Sequence, residues 1–187
     1  MISELLLEKS KKNKKFIKTL LFSIKRQGME KMFQYLVKKG FFNSPASCYY
    51  HGNFYGGLAE HSINVYKLFS SMCKKFNVVI HDDTIIIPSI LHDVCKIGLY
   101  VFTEEGIRYN SKHPKGHCKL SLERIEKFIR LKPLERKMIE YHMGMYGTYG
   151  ISKCPEYTLD ELRIAFNNRI VKLFYFCDEM SSQFLEV

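Results

Sequence analysis

Ile90-Leu91-His92-Asp93-Val94-Cys95-Lys96 turns from apolar to ionisable within one dipeptide, and its reading decides the fold. Ile86, Ile87, Ile90, Leu91 and Val94 repeat at helical spacing. Asp82 or Asp83 can cap this helix, which is expected to end near Gly98. Imidazole nitrogens and carboxylate oxygens are donors for the divalent transition metals used in hydrolysis. Neighbours on a helix diverge by about 100°, so His92 and Asp93 can share an ion only if it lies between them. Other helices must then bring the remaining donors.

Four further residues extend the pair into the order H…HD…H…H…D: His61, His117, His142 and Asp178. A helix from about Leu58 to Phe76 carries Leu58, Val65, Leu68, Phe69, Met72 and Phe76 on one side, with His61 among them. An imidazole on such a face needs a partner, because an unpaired buried polar group costs about 1–3 kcal/mol. His117 opens a helix reaching about Ile129, and another runs from Pro133, a favoured first helical position, to Met143. After a loop over 144–157, Thr158-Leu159-Asp160-Glu161 is a capping-box signature. The final helix carries Leu162, Ala165, Phe166, Ile170, Phe174, Cys177 and Asp178 down its inner side. His61 and Asp178 complete a four-donor set with His92 and Asp93, and His117 and His142 are the natural additions for a second ion. Each has a plainer alternative: His61 as a core histidine, Asp178 as an ion-pair partner of Arg169 or Lys172.

The 187 residues fit one domain, with basic covering helices over 1–43 and a core over 44–182. Strand alternation is nearly absent, so the expected class is all-α, with one small hairpin over residues 99–109 turning at Glu104-Glu105-Gly106. In the N-terminal part Ile17, Leu20, Leu21 and Ile24 make one stripe; Met29, Met32, Phe33, Leu36 and Val37 make another, stopped by Gly40. Lys11, Lys12, Lys14, Lys15 and Lys18 are expected in solvent. The net charge of +10 favours anionic partners, although a lysine-rich composition can also reflect an AT-rich genome. Six scattered cysteines contain no C-x-x-C pair, which argues against a zinc knuckle. With no signal peptide and no apolar run long enough to span a bilayer, the expectation is a cytoplasmic protein without a membrane partner.

His51-Gly-Asn-Phe-Tyr-Gly-Gly-Leu-Ala-Glu-His61 resembles the opening of the HD-superfamily phosphohydrolases, in which a Gly-Gly-Leu-x-x-His run supplies the first metal ligand. Leu91-His92-Asp93-Val94-Cys95-Lys96-Ile97-Gly98 looks like the signature Leu-His-Asp-x-x-Lys. Gly116-His117, Tyr141-His142-Met143-Gly144 and Phe176-Cys177-Asp178-Glu179-Met180 are similar to the later motifs, with Cys177 where Ala is usual. The match is closest to small stand-alone HD proteins of bacteria and phages and to the HD part of a 3′–5′ exoribonuclease family. The chain lacks those exonucleases' oligonucleotide-binding domain, and also the Gly-Tyr-Pro and His-His motifs of cyclic-di-GMP phosphodiesterases.

The resemblance implies an HD-type helical bundle that hydrolyses phosphate esters with one or two divalent ions of Mn, Fe, Co, Ni or Zn. It makes His61, His92, Asp93 and Asp178 the ligands of a first metal. His117 and His142 are either ligands of a second metal or contacts to the substrate phosphate, and Asp93 orients the attacking water. Lys96 is expected to anchor phosphate on the helix face of His92, against the plainer reading of a lysine favoured by the helix dipole. Lys112, Lys115, Lys119 and Arg124 make either a positive rim or a solvated face. The run Gly144-Met-Tyr146-Gly147-Thr-Tyr149-Gly150 reads as a lid stacking a nucleobase, or as a plain connector, with Tyr49, Tyr50 and Tyr55 opposite. Cys95, Cys118 and Cys177 adjoin candidate ligands, either as small packing residues or as redox-sensitive thiols. The substrate expected is a nucleotide or short oligonucleotide phosphate ester. A non-catalytic HD-fold protein that binds nucleotide or nucleic acid is the alternative.

Overall fold

A computed structural model of the chain describes residues 2–149 and 155–185. The basic N-terminal segment folds as α1 (Glu4–Ser23) and α2 (Met29–Lys39). Ser3 caps α1 by accepting from the Leu6 N–H. Ile17, Leu21 and Ile24 are buried, as are Met29, Met32, Phe33 and Leu36. Val37 is exposed instead, one step of rotation past Leu36, and Lys11, Lys12, Lys14, Lys15 and Lys18 face solvent as expected. Gly40 ends α2 at φ +82.

Four more long helices make the bundle: α3 (Gly57–Lys75), α4 (Asp82–Leu91), α5 (Cys118–Glu126) and α6 (Pro133–Tyr141). A short α7 (Met145–Tyr149), then α8 (Leu159–Phe166) and α9 (Arg169–Met180), follow. Helix α3 packs on α1, α4 and α9, while α6 packs on α4, α5 and α9. One apolar core gathers side chains such as Leu21, Leu36, Leu58, Ile90 and Ile125; a second gathers Val65, Phe69, Met138, Val171 and Phe174. Helix α3 feeds both, Leu58 and Ile63 into the first, Val65 and Phe69 into the second. His61 falls between them, while Phe76 at the far end of the expected stripe is exposed. The expected hairpin is present: β1 (Tyr100–Thr103) pairs antiparallel with β2 (Gly106–Tyr109), Tyr100 opposite Tyr109.

Two expected helices differ from their sequence reading. Helix α4 is capped not by Asp82 or Asp83 but by His81, whose Nδ1 accepts from the Asp83 N–H. It stops at Leu91 rather than near Gly98. Asp93 leaves helical geometry at φ −104, ψ 17, and Val94–Lys96 make a single 3₁₀ turn. A distant side chain supports this break: one nitrogen of Arg124, on α5, donates to the carbonyls of Val94, Cys95 and Ile97 at 2.7, 3.0 and 3.2 Å. Arg124 therefore belongs to the interior, not to a solvated rim. The expected last helix is two. Asn168 interrupts it and caps α9, its side-chain oxygen accepting from the N–H groups of Ile170 and Val171. The Thr158–Glu161 capping box opens α8 as expected.

The loop expected over 144–157 contains α7, and its glycines have a packing reason. A Cβ on Gly144 would lie 2.3 Å from the Tyr175 ring, and one on Gly147 would lie 2.2 Å from the Tyr157 hydroxyl. Residues 150–154 of that loop, with the last glycine of the lid reading, lie outside the described residues.

Candidate metal centre

The break after Leu91 aims the His-Asp pair. His92 closes α4 and Asp93 stands outside it, so the two side chains are freed from the divergence of helical neighbours. His61 comes from the second turn of α3, His117 from the residue before α5, His142 from the residue after α6, and Asp178 from the last turns of α9. All six are brought together, and all but Asp178, which is 13% exposed, are buried.

Most of the donor contacts fall into two groups that share Asp93, while His92, His142 and Asp178 make a set that crosses them. In the first, His61 Nε2 lies 3.0 Å from Asp178 Oδ1, 3.1 Å from His92 Nε2 and 3.6 Å from Asp93 Oδ2. His92 Nε2 is 3.4 Å from Asp93 Oδ2 and 3.5 Å from Asp178 Oδ1. In the second, His117 Nε2 lies 2.8 Å from Asp93 Oδ1 and 3.1 Å from His142 Nε2, which is 3.5 Å from the same oxygen. Metal–ligand bonds of about 2.1 Å put neighbouring donors about 3.0 Å apart at a right angle and about 3.4 Å apart at a tetrahedral one. Both groups fit an ion of that kind. Asp93 Oδ1 is buried and accepts no hydrogen bond despite its short distance to His117, which is the condition of a ligand atom rather than a structural acceptor.

The outer contacts set the tautomers. His92 donates through Nδ1–H to the Ser89 carbonyl at 3.1 Å, and His142 through Nδ1–H to that of Ile139 at 2.7 Å. Each bond reserves Nε2 for the centre. His117 Nδ1 meets the Cys95 sulfur at 3.2 Å. Burial pushes that thiol up to about 12, which keeps it protonated and apolar beside the ring.

The electrostatics favour positive charge beside the two carboxylates. Burial raises the carboxyls of Asp93 and Asp178, yet the charges of Lys96 and His92 on the first, and of His92 and His61 on the second, hold both well below the usual carboxylate range. Burial lowers His92, but Asp93 and Asp178 outweigh it and carry that imidazole up to about 10. Burial holds His117 down against the pull of Asp93. Mixed imidazole and carboxylate donors suit Mn, Fe, Co, Ni or Zn better than the all-oxygen shells of Ca or Mg.

Lys96 does not project from a shared helix face with His92. It sits on the 3₁₀ turn, three residues after Asp93, with its ammonium 2.8 Å from Asp93 Oδ2 and its side chain 12% exposed. Beside the second group opens a cleft of about 130 Å³, lined by Tyr100, Tyr109, His113, Lys115, His117 and Glu156 among others. Lys115 lines this cleft, whereas Tyr146 and Tyr149 lie exposed on α7 and Lys112 and Lys119 face solvent. Tyr49 and Tyr50 are exposed, and Tyr55 leans on Phe102 of the hairpin with ring centroids 6.1 Å apart. Glu156 was invisible to sequence reading. Its carboxylate accepts from the backbone N–H groups of His117 and Lys119, capping α5 across 39 residues of chain and fixing where His117 begins. No local pattern announces a cap supplied from so far away.

Comparison with known proteins agrees with this geometry. The HD domain family model matches residues 58–174. Dihydroneopterin 2′,3′-cyclic phosphate phosphodiesterase of Methanocaldococcus jannaschii is similar, at 36% identity over 67 residues. That similarity covers 34% of this chain and only 27% of the relative. No solved structure matches.

Proposed function

The chain belongs to the HD domain family, and from that premise we propose that it is a metal-dependent phosphohydrolase acting on a nucleotide or short oligonucleotide phosphate ester. One observation carries the reading: two donor groups share the two oxygens of a single buried carboxylate, Asp93. His61, His92, Asp93 and Asp178 would hold one divalent ion, and Asp93, His117 and His142 a second. When bound, such ions draw charge from a phosphoryl oxygen and make water easier to deprotonate near neutral pH.

The chain's own residues supply the rest. Lys96, held beside Asp93 at the centre, offers a fixed positive charge to the phosphoryl oxygens as negative charge builds there. Asp93 is kept ionised by Lys96 and His92, so it can orient a water and accept its hydrogen bond. Lys115, with Tyr100 and Tyr109, gives the cleft a basic rim and aromatic walls suited to the organic part of a phosphate ester. Tyr146 and Tyr149 offer exposed rings on which a longer substrate can stack. The partial relative is by name a cyclic-phosphate phosphodiesterase, which supports a phosphodiester as substrate.

The test is metal content and turnover in the same preparation. Protein purified without chelator should carry Mn, Fe, Co, Ni or Zn and hydrolyse members of a nucleotide and cyclic-nucleotide panel. Asp93→Ala should lose both the metal and essentially all hydrolysis while keeping its helical circular dichroism. A preparation with no metal, and no activity restored by any of the five ions, overturns the proposal.

A further inference from the structure

The positive charge of this chain is unevenly placed. Residues 1–43 contain eleven Lys and Arg against three acidic residues, a net of +8, while residues 44–187 carry eighteen against sixteen, a net of +2. Ten of the 22 lysines fall in those first 43 residues. A compositional bias of the genome would spread them over both parts. The surplus sits on α1 and α2, outside the residues matched by the family.

Few of these charges are used internally. Arg26 is turned inward to Glu135 and Asp83, Lys9 meets Glu60, and Lys11 meets Glu8. Lys14 and Lys18 of α1 face Lys38 of α2 across a shallow groove of about 390 Å³, floored by Phe33, Gln34 and Val37. Three exposed ammonium groups around a partly apolar floor give the groove a positive potential that attracts anions. Lys18 also stands 5.3 Å from the exposed ring of Phe22, so charge and aromatic surface alternate along this face.

We propose that the α1–α2 groove binds single-stranded nucleic acid, with Lys14, Lys18 and Lys38 contacting its phosphates; this binding does not depend on the phosphohydrolase reading. A polyanion with a regular charge spacing matches a groove of separated lysines, and its bases match the exposed aromatic surface. An anionic membrane fits less well. A helix that lies on a bilayer needs a continuous free apolar face; Ile17 and Leu21 of α1 are buried in the core, and its exposed Leu5, Leu7, Phe16 and Phe22 do not fall on one stripe.

The experiment is fluorescence polarisation of the purified full chain with a labelled single-stranded oligonucleotide of about 20 nucleotides, at salt from about 50 to 200 mM. Lys14→Ala/Lys18→Ala/Lys38→Ala should weaken binding at least about tenfold and lower the log–log salt slope by about 2, since each lost single-strand phosphate contact contributes about 0.7. The charge-matched control Lys74→Ala/Lys75→Ala/Lys137→Ala should bind like the wild type. Hydrolysis of a mononucleotide ester by the groove variant should be unchanged. Equal weakening by both triples, no binding at about 50 mM salt, or binding of phosphatidylglycerol vesicles without binding of the oligonucleotide would each overturn the assignment. Loss of mononucleotide hydrolysis in the wild type alongside intact groove binding would instead sink the phosphohydrolase reading and leave this one standing.

Discussion

Asp93 shows how one residue's position decides a centre. On a continued helix its carboxylate would point away from His92; in the bridge-like geometry it adopts, each oxygen faces a different histidine group. The cysteines make the opposite point. Cys95, Cys118 and Cys177 lie beside the donors, yet burial pushes each thiol upward, Cys177 to about 12, which disfavours the thiolate that oxidants attack. All three are buried among other side chains, as packing residues are. Cys73, away from the centre, offers a measurable consequence, because burial raises it from 9.0 to about 11. Above pH 9 the unfolded chain gives up a proton that the folded chain keeps, so its contribution to stability is present below that pH and is lost as pH rises through about 11. Urea unfolding of wild type and Cys73→Ala from pH 7 upward should show the stability gap narrowing between those values. A gap that stays constant there would contradict the assignment.

At the scale of elements, the donors arrive because helices are held at both ends. Helices α4 and α6 present His92 and His142 at their C-terminal ends, and their N-terminal ends are tied by one buried ion pair. Arg26 donates to both oxygens of fully buried Glu135 at 2.7 and 3.0 Å and reaches Asp83 at 3.2 Å, while the Thr84 hydroxyl and the Lys132 N–H also donate to Glu135. Removing one partner of a buried pair leaves an uncompensated charge, so Arg26→Ala should cost about 3–5 kcal/mol. A urea midpoint within experimental error of wild type would show that the clamp is dispensable. None of this was legible locally, since Arg26 and Glu135 are 109 residues apart. The same holds for Arg124, whose donation to the carbonyls after α4 makes the break affordable. Capping signals with local partners, at Thr158 and Gly40, are legible in the sequence because both participants lie within one turn.

Taken whole, the molecule gathers candidate ligands from five separate places on a 187-residue chain, so ion binding and folding should be coupled. An ion that binds only the folded state stabilises it by about 2.7 kcal/mol at a hundredfold excess over Kd. Chelation should therefore lower Tm, and restoring the ion should recover it; a Tm indifferent to both would mean that the six side chains stand together without a metal. Among the described residues no helix is long and apolar enough to cross a membrane. The sequence by itself determined the helical class, the hairpin, the order of the six candidate ligands and the motifs of the family, because periodicity, local capping and adjacency are written in short stretches. Only the tertiary structure decided that Asp93 is shared between two donor groups, that Lys96 pairs with Asp93, and that Tyr100 and Tyr109 line the cleft. Those facts depend on where α4 breaks and on which distant side chains satisfy the backbone there, and residues far apart in a chain leave no local trace of meeting.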